Sequence, residues 1–86
     1  VAATTAPPQS ATRAARASDR AVKKELARLE RVLARADDEE AELHRAMAQV
    51  ATDHVRVADL HQQLDEVVQR KRSAETEWLL LAENAE

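Results

Sequence analysis

An 86-residue chain without glycine, cysteine, tyrosine or phenylalanine, 34% of it charged, has room for one small domain and the composition of a long helix or coiled coil. The missing glycines and aromatics exclude the turns and strands of all-β and α/β folds, and the missing cysteines exclude disulfides and thiol chemistry and argue against a structural zinc site. The net charge of −3 conceals a division: residues 1–35 hold eight Lys/Arg against three Asp/Glu, residues 36–86 five against thirteen, so a front half suited to a polyanion precedes an acidic back half.

In chain order, residues 1–17 (VAATTAPPQSATRAARA) come first. They hold both prolines and no large apolar residue beyond Val1, too little to offset the entropy of ordering, so they are expected to form a flexible, disordered linker with some basic character. No run approaches the roughly 18 apolar residues of a membrane span, and no signal peptide is visible. A start at Val1 rather than methionine reads as a piece of a longer protein, and the composition is compatible with a cytoplasmic one.

Residues 18–86 are expected to form the folded unit. Ser18 or Asp19 suits the N-cap of a first helix over about residues 19–51. Its apolar positions Val22, Leu26, Leu29, Leu33, Ala36, Glu40, Leu43, Met47 and Val50 alternate spacings of 4 and 3, the a/d repeat of a coiled coil, with Glu40 the one exception in type. Ala51-Thr52-Asp53 breaks the pattern and offers new caps. A second helix, over about residues 53–84, repeats it through Val57, Leu60, Leu64, Val67, Lys71, Ala74, Trp78 and Leu81.

A short connection forces antiparallel neighbours, in which an a position faces a d position. Val50–Val57, Met47–Leu60, Leu43–Leu64, Glu40–Val67, Ala36–Lys71, Leu33–Ala74, Leu29–Trp78 and Leu26–Leu81 all pair a with d, with residue numbers that sum to 107. Closure of eight layers without a stutter predicts an all-α fold, an antiparallel two-helix coiled-coil hairpin. Glu40 and Lys71 are polar residues at a in adjacent layers, which either pair or snorkel outward and fix register. At the flanking g positions, Glu39 and Arg70 are expected to face each other.

No catalytic constellation is present. Without glycine there is no phosphate loop, no serine has a His/Asp arrangement, and the carboxylates lie on solvated faces with no pocket to shift them. His44 and His61 share one edge and His54 lies near the loop, but no third ligand is fixed at helical spacing, so they read as exposed edge residues and no metal site is expected. No bound cofactor or small-molecule substrate is expected either.

The outward cations are more informative. Lys24, Arg28, Arg31 and Arg35 occupy c and f positions, away from the seam, and Arg20 and Lys23 extend the patch. The register brings Arg70, Lys71 and Arg72 level with Arg35 and Ala36, predicting a basic belt over the middle and open end. Such a patch suits phosphate contacts, and arginine suits them best. Trp78, the sole aromatic, is in the seam, so stacking on single-stranded bases is not expected. An alternative surface is apolar: Ala27, Ala34, Ala41 and Ala48 line position b, and Leu79 and Leu80 fall outside the seam, where they could dock another domain or a second hairpin.

The stretch Lys24-Glu25-Leu26-Ala27-Arg28-Leu29-Glu30-Arg31, the junction Ala51-Thr52-Asp53-His54 and the ending Glu77-Trp78-Leu79-Leu80-Leu81-Ala82-Glu83 resemble the C-terminal coiled coil of the ABC-F family, soluble duplicated ATP-binding-cassette proteins. The resemblance covers about residues 18–86 and departs from the family at His54, where an aromatic is common. It implies a parent ATPase whose cassettes, with ATP and Mg, lie outside this segment. It also implies a non-catalytic domain that binds DNA or ribosomal RNA, in translation, ribosome protection or a DNA-related process. The alternative is a regulatory module that docks the parent's cassettes or dimerises.

Overall fold

The computed structural model describes the backbone of residues 8–84 and side chains from Arg13 onward. Two helices, α1 (Pro8–Gln49) and α2 (His54–Asn84), form a rod with principal extents of 80 × 15 × 14 Å. Every described long-range contact is between α1 and α2, so the molecule is the expected hairpin.

Each residue of the predicted seam is buried or half-buried. Leu29, Ala36, Leu64, Val67 and Ala74 form its buried centre. The other apolar seam residues stay half-buried because a two-helix layer has open flanks. Burial of a leucine or valine side chain here contributes about 1.5–3 kcal/mol, and Leu29, 1% exposed opposite Trp78, is the most enclosed large side chain. Cross-helix ion pairs follow the predicted register: Arg70 Nη1 lies 2.8 Å from Glu39 Oε2, and Arg28 Nη2 lies 3.9 Å from Glu77 Oε2.

The junction is as the caps dictate. The Asp53 N–H donates to the Val50 carbonyl at 2.8 Å and closes the turn. The Asp53 carboxylate then accepts from the Arg56 N–H at 3.1 Å, which makes Asp53 the N-cap of α2.

The first helix differs from expectation at its start. It begins at Pro8, so residues 8–17 are helical where a linker was expected, and Ser18 and Asp19 lie inside α1 instead of capping it. The remaining residues of the expected linker, 1–7, lie outside the described residues. The reason is that a helix nucleated in the hairpin propagates at little cost through good formers: residues 11–17 hold four alanines and two arginines. Proline is tolerated at the first helical position, where no N–H is needed. The last residue of α2, Asn84, is level with Lys23 in the 107 register, so among the described residues α1 extends beyond α2 from Val22 back to Pro8. This overhang is about 22 Å long.

Candidate nucleic-acid interface

The nine cations of the predicted belt fall into three groups. Arg70 and Lys71 are engaged. Arg70 holds Glu39, and Lys71 Nζ lies 2.6 Å from Asp37 Oδ1 and 3.3 Å from Glu40 Oε1. The seam lysine therefore pairs with Glu40, one of the two outcomes open from the sequence, and also with Asp37 on the e edge. Hydrogen bonds from Asp37 first and Glu40 second hold the Lys71 ammonium above its ordinary pKa of 10.5. Arg28 is intermediate, bonded to Glu25 one turn earlier and lying near Glu77.

Among the described residues, Arg20, Lys23, Lys24, Arg31, Arg35 and Arg72 are exposed and make no ion pair. All but Arg72 lie on α1. At about 100° per residue they project within roughly 140° of arc, on the side away from the seam. Arg13 and Arg16, assigned to a linker by the sequence pattern, are exposed helical residues of the same arc. The cationic surface is thus a stripe along one helix, from Arg13 to Arg35, about 33 Å long. Of the predicted cations on α2, Arg72 alone stands unpaired beside it among the described residues. The omitted signal was helical continuity: Arg13, Arg16, Arg20 and Lys24 are spaced 3, 4 and 4.

The loop-proximal half is acidic on both helices; Arg56 Nε is 3.6 Å from Asp53 Oδ2, while exposed Arg45 makes no ion pair among the described residues. His61 Nδ1 lies 3.7 Å from Asp65 Oδ1 at the surface. No group of three His, Cys, Asp or Glu able to hold a metal occurs among the described residues. Where no pocket was expected, an open groove of about 620 Å³ runs beside the seam, bordered by Glu39, Leu43, Ala46, Gln63, Val67 and Arg70. Leu79 and Leu80 are each 57% exposed near the open end. Of the alanine strip, Ala34, Ala41 and Ala48 are exposed and Ala27 is half-buried.

A family model described as ABC transporter C-terminal domain matches residues 18–83. The chain belongs to this family. No curated protein and no solved structure gives a significant match. The part of the chain that matches the ABC transporter C-terminal domain begins at Ser18, so it contains Arg20 through Arg35 and Arg72, while Arg13 and Arg16 precede it. No helix among the described residues is long and apolar enough to cross a membrane.

Proposed function

We propose that this domain is a non-catalytic nucleic-acid-binding appendage of a cytoplasmic ABC-F ATPase. Its cassettes, with ATP and Mg, are carried elsewhere in the parent, and its partner is DNA or ribosomal RNA in translation, ribosome protection or a DNA-related process. The observation that carries the proposal is the row of exposed cations on α1, on the side opposite the seam, that make no ion pair among the described residues. Cations without carboxylate partners release phosphate counterions without first breaking an internal pair, so they contribute fully to polyanion affinity. Family membership supports the ABC parent.

The test is gel shift against duplex DNA and structured RNA, with ribosome co-sedimentation, across a salt series. Log affinity is expected to fall linearly with log salt. Charge reversal of Arg28, Arg31 and Arg35 to Glu abolishes binding if the stripe is the site, and binding that survives the triple reversal removes it.

A second reading rests on Leu79 and Leu80, whose exposure beside Trp78 near the open end suits a protein contact. In it the domain docks the parent's cassettes or a second hairpin. Sedimentation of the chain alone and with the cassettes discriminates: a monomer without affinity for the cassettes eliminates this reading.

A further inference from the structure

The overhang of α1 has the shape and charge of a helix that enters a groove. Beyond the end of α2 it is a single helix, and its cations Arg13, Arg16 and Arg20 lie within about 60° of one another on one face. Its other described side chains are almost all small: Ala14, Ala15, Ala17, Ser18 and Ala21, every one exposed. Asp19, the overhang's one acid, stands about a quarter turn from the cationic face. A helix with full-sized side chains is about 10–12 Å across, so one flanked by alanine and serine is slimmer than that.

We infer that this overhang inserts into the major groove of B-form duplex DNA, with Arg13, Arg16 and Arg20 directed into the groove and Lys24, Arg31 and Arg35 following the phosphates beyond it. The inference rests on the nucleic-acid reading above and narrows it to one partner and one mode. Three observations favour duplex DNA. The major groove, about 12 Å wide and 8.5 Å deep, admits a helix, whereas the major groove of A-form RNA is too deep and narrow for side chains to read. The stripe, about 33 Å long, matches one turn of a DNA duplex, about 34–36 Å. The absence of an exposed aromatic disfavours single strands, which are held by stacking.

The geometry also explains the overhang's composition. Among the described residues nothing packs on this segment, and a helix that enters a groove has no room for large apolar residues. Alone, a helix of this length is marginal in water. Anchored to the hairpin it stays ordered enough to dock, as basic helices that fork away from a dimeric coiled coil do on DNA.

Fluorescence anisotropy of labelled 24-base-pair duplex DNA, duplex RNA of the same sequence and single-stranded DNA, from 50 to 200 mM salt, tests this on the whole 86-residue chain. Three variants are compared: R13Q/R16Q/R20Q, K24Q/R31Q/R35Q, and A17L/A21L, all at exposed positions and all helix-compatible, with circular dichroism as a check on folding. The expected result is tightest binding to duplex DNA. The slope of log affinity on log salt should fall by about 2.7 in R13Q/R16Q/R20Q, at about 0.9 per lost contact. A17L/A21L should bind duplex DNA about tenfold more weakly with its slope intact, because bulk and not charge obstructs the groove.

If R13Q/R16Q/R20Q retains the full slope while K24Q/R31Q/R35Q loses it, the overhang makes no contact and this inference fails while the nucleic-acid reading stands. If A17L/A21L binds as tightly as the parent sequence, or duplex RNA binds as well as duplex DNA, the cations rest on an outer surface and groove insertion is overturned. Failure of the unmodified chain to bind any of the three nucleic acids overturns both.

Discussion

Toward the open end, Arg31 and Arg35 of α1 stand in solvent with no carboxylate within ion-pair reach, while at mid-length on α2 Arg70 holds Glu39 and Lys71 holds both Asp37 and Glu40. The residue types are nearly the same. Heptad position separates them. At a and g a long cationic side chain lies along the seam, its stem covering apolar surface and its head meeting the acids of the facing helix. At c and f, as at Arg31 and Arg35, it points to water, although Arg28 at c still reaches Glu25 and Glu77. Seam-edge cations thus specify how the helices pair, and outward cations are left for a partner. Burial also varies along the seam. Leu29 is enclosed, but the terminal layers, Leu26–Leu81 toward the open end and Met47–Leu60 and Val50–Val57 toward the loop, are half-buried.

The largest expected effect tests the burial contrast. Leu29→Ala should destabilise the hairpin by about 3 kcal/mol, within the usual range for an enclosed leucine, read as a shift in urea midpoint. Leu43→Ala, at a half-buried position in the acidic half, should cost about half as much, since its side chain already meets solvent. Equal losses would mean that the two halves share one uniform core. Next in size is the contrast in charge. Neutralising Lys24, Arg31 and Arg35 should weaken duplex binding about a hundredfold at physiological salt, from three lost contacts. Arg70→Gln should leave affinity nearly unchanged and lower only the melting temperature, slightly, as exposed ion pairs do. The two measurements together decide whether paired cations are withdrawn from binding.

Most of the fold was legible in the sequence because the seam is periodic. All five buried residues belong to the predicted a/d set, and Glu39–Arg70 was readable from its g positions. Asp53 was readable as a cap because its side chain bonds locally. The helical run of residues 8–17 was not legible in the pattern, because low apolar content says only that a segment does not pack. A helix already nucleated extends on propensity alone, and these residues are rich in alanine and arginine. Arg13 and Arg16 join the cationic stripe only through that extension. The Lys71–Asp37 contact was missed for another reason. Position e borders the seam, so a lysine stem from a facing a residue can reach it, and which of two acids it meets depends on rotamers that spacing does not encode. Trp78 was placed in the seam correctly, yet its indole N–H is buried without a partner, a cost that pattern alone does not reveal.

Smaller effects refine the comparison at the junction. Asp53→Ala removes the carboxylate that accepts from the Arg56 N–H, and should cost about 1 kcal/mol. Thermal melts should show this without any change in duplex affinity, because the loop end carries no unpaired stripe. Trp78→Phe keeps an aromatic body opposite Leu29 and deletes the unpartnered donor, so stability should stay level or rise by up to about 1 kcal/mol.

The smallest effect concerns Lys71 and pH. Its pKa in the hairpin is raised above 10.5 by the Asp37 and Glu40 hydrogen bonds, and on unfolding it returns to the ordinary value. The unfolded chain therefore releases this proton first as pH rises. The stabilisation is fully present below pH 10.5 and is lost as pH climbs through the raised value. Melting temperature should fall between pH 10 and 12 more steeply in the native sequence than in Lys71→Met, which has no ammonium to titrate. A difference that vanished would place the Lys71 ammonium in solvent like Lys23 and Lys24, and would erase the distinction between seam-edge and outward cations.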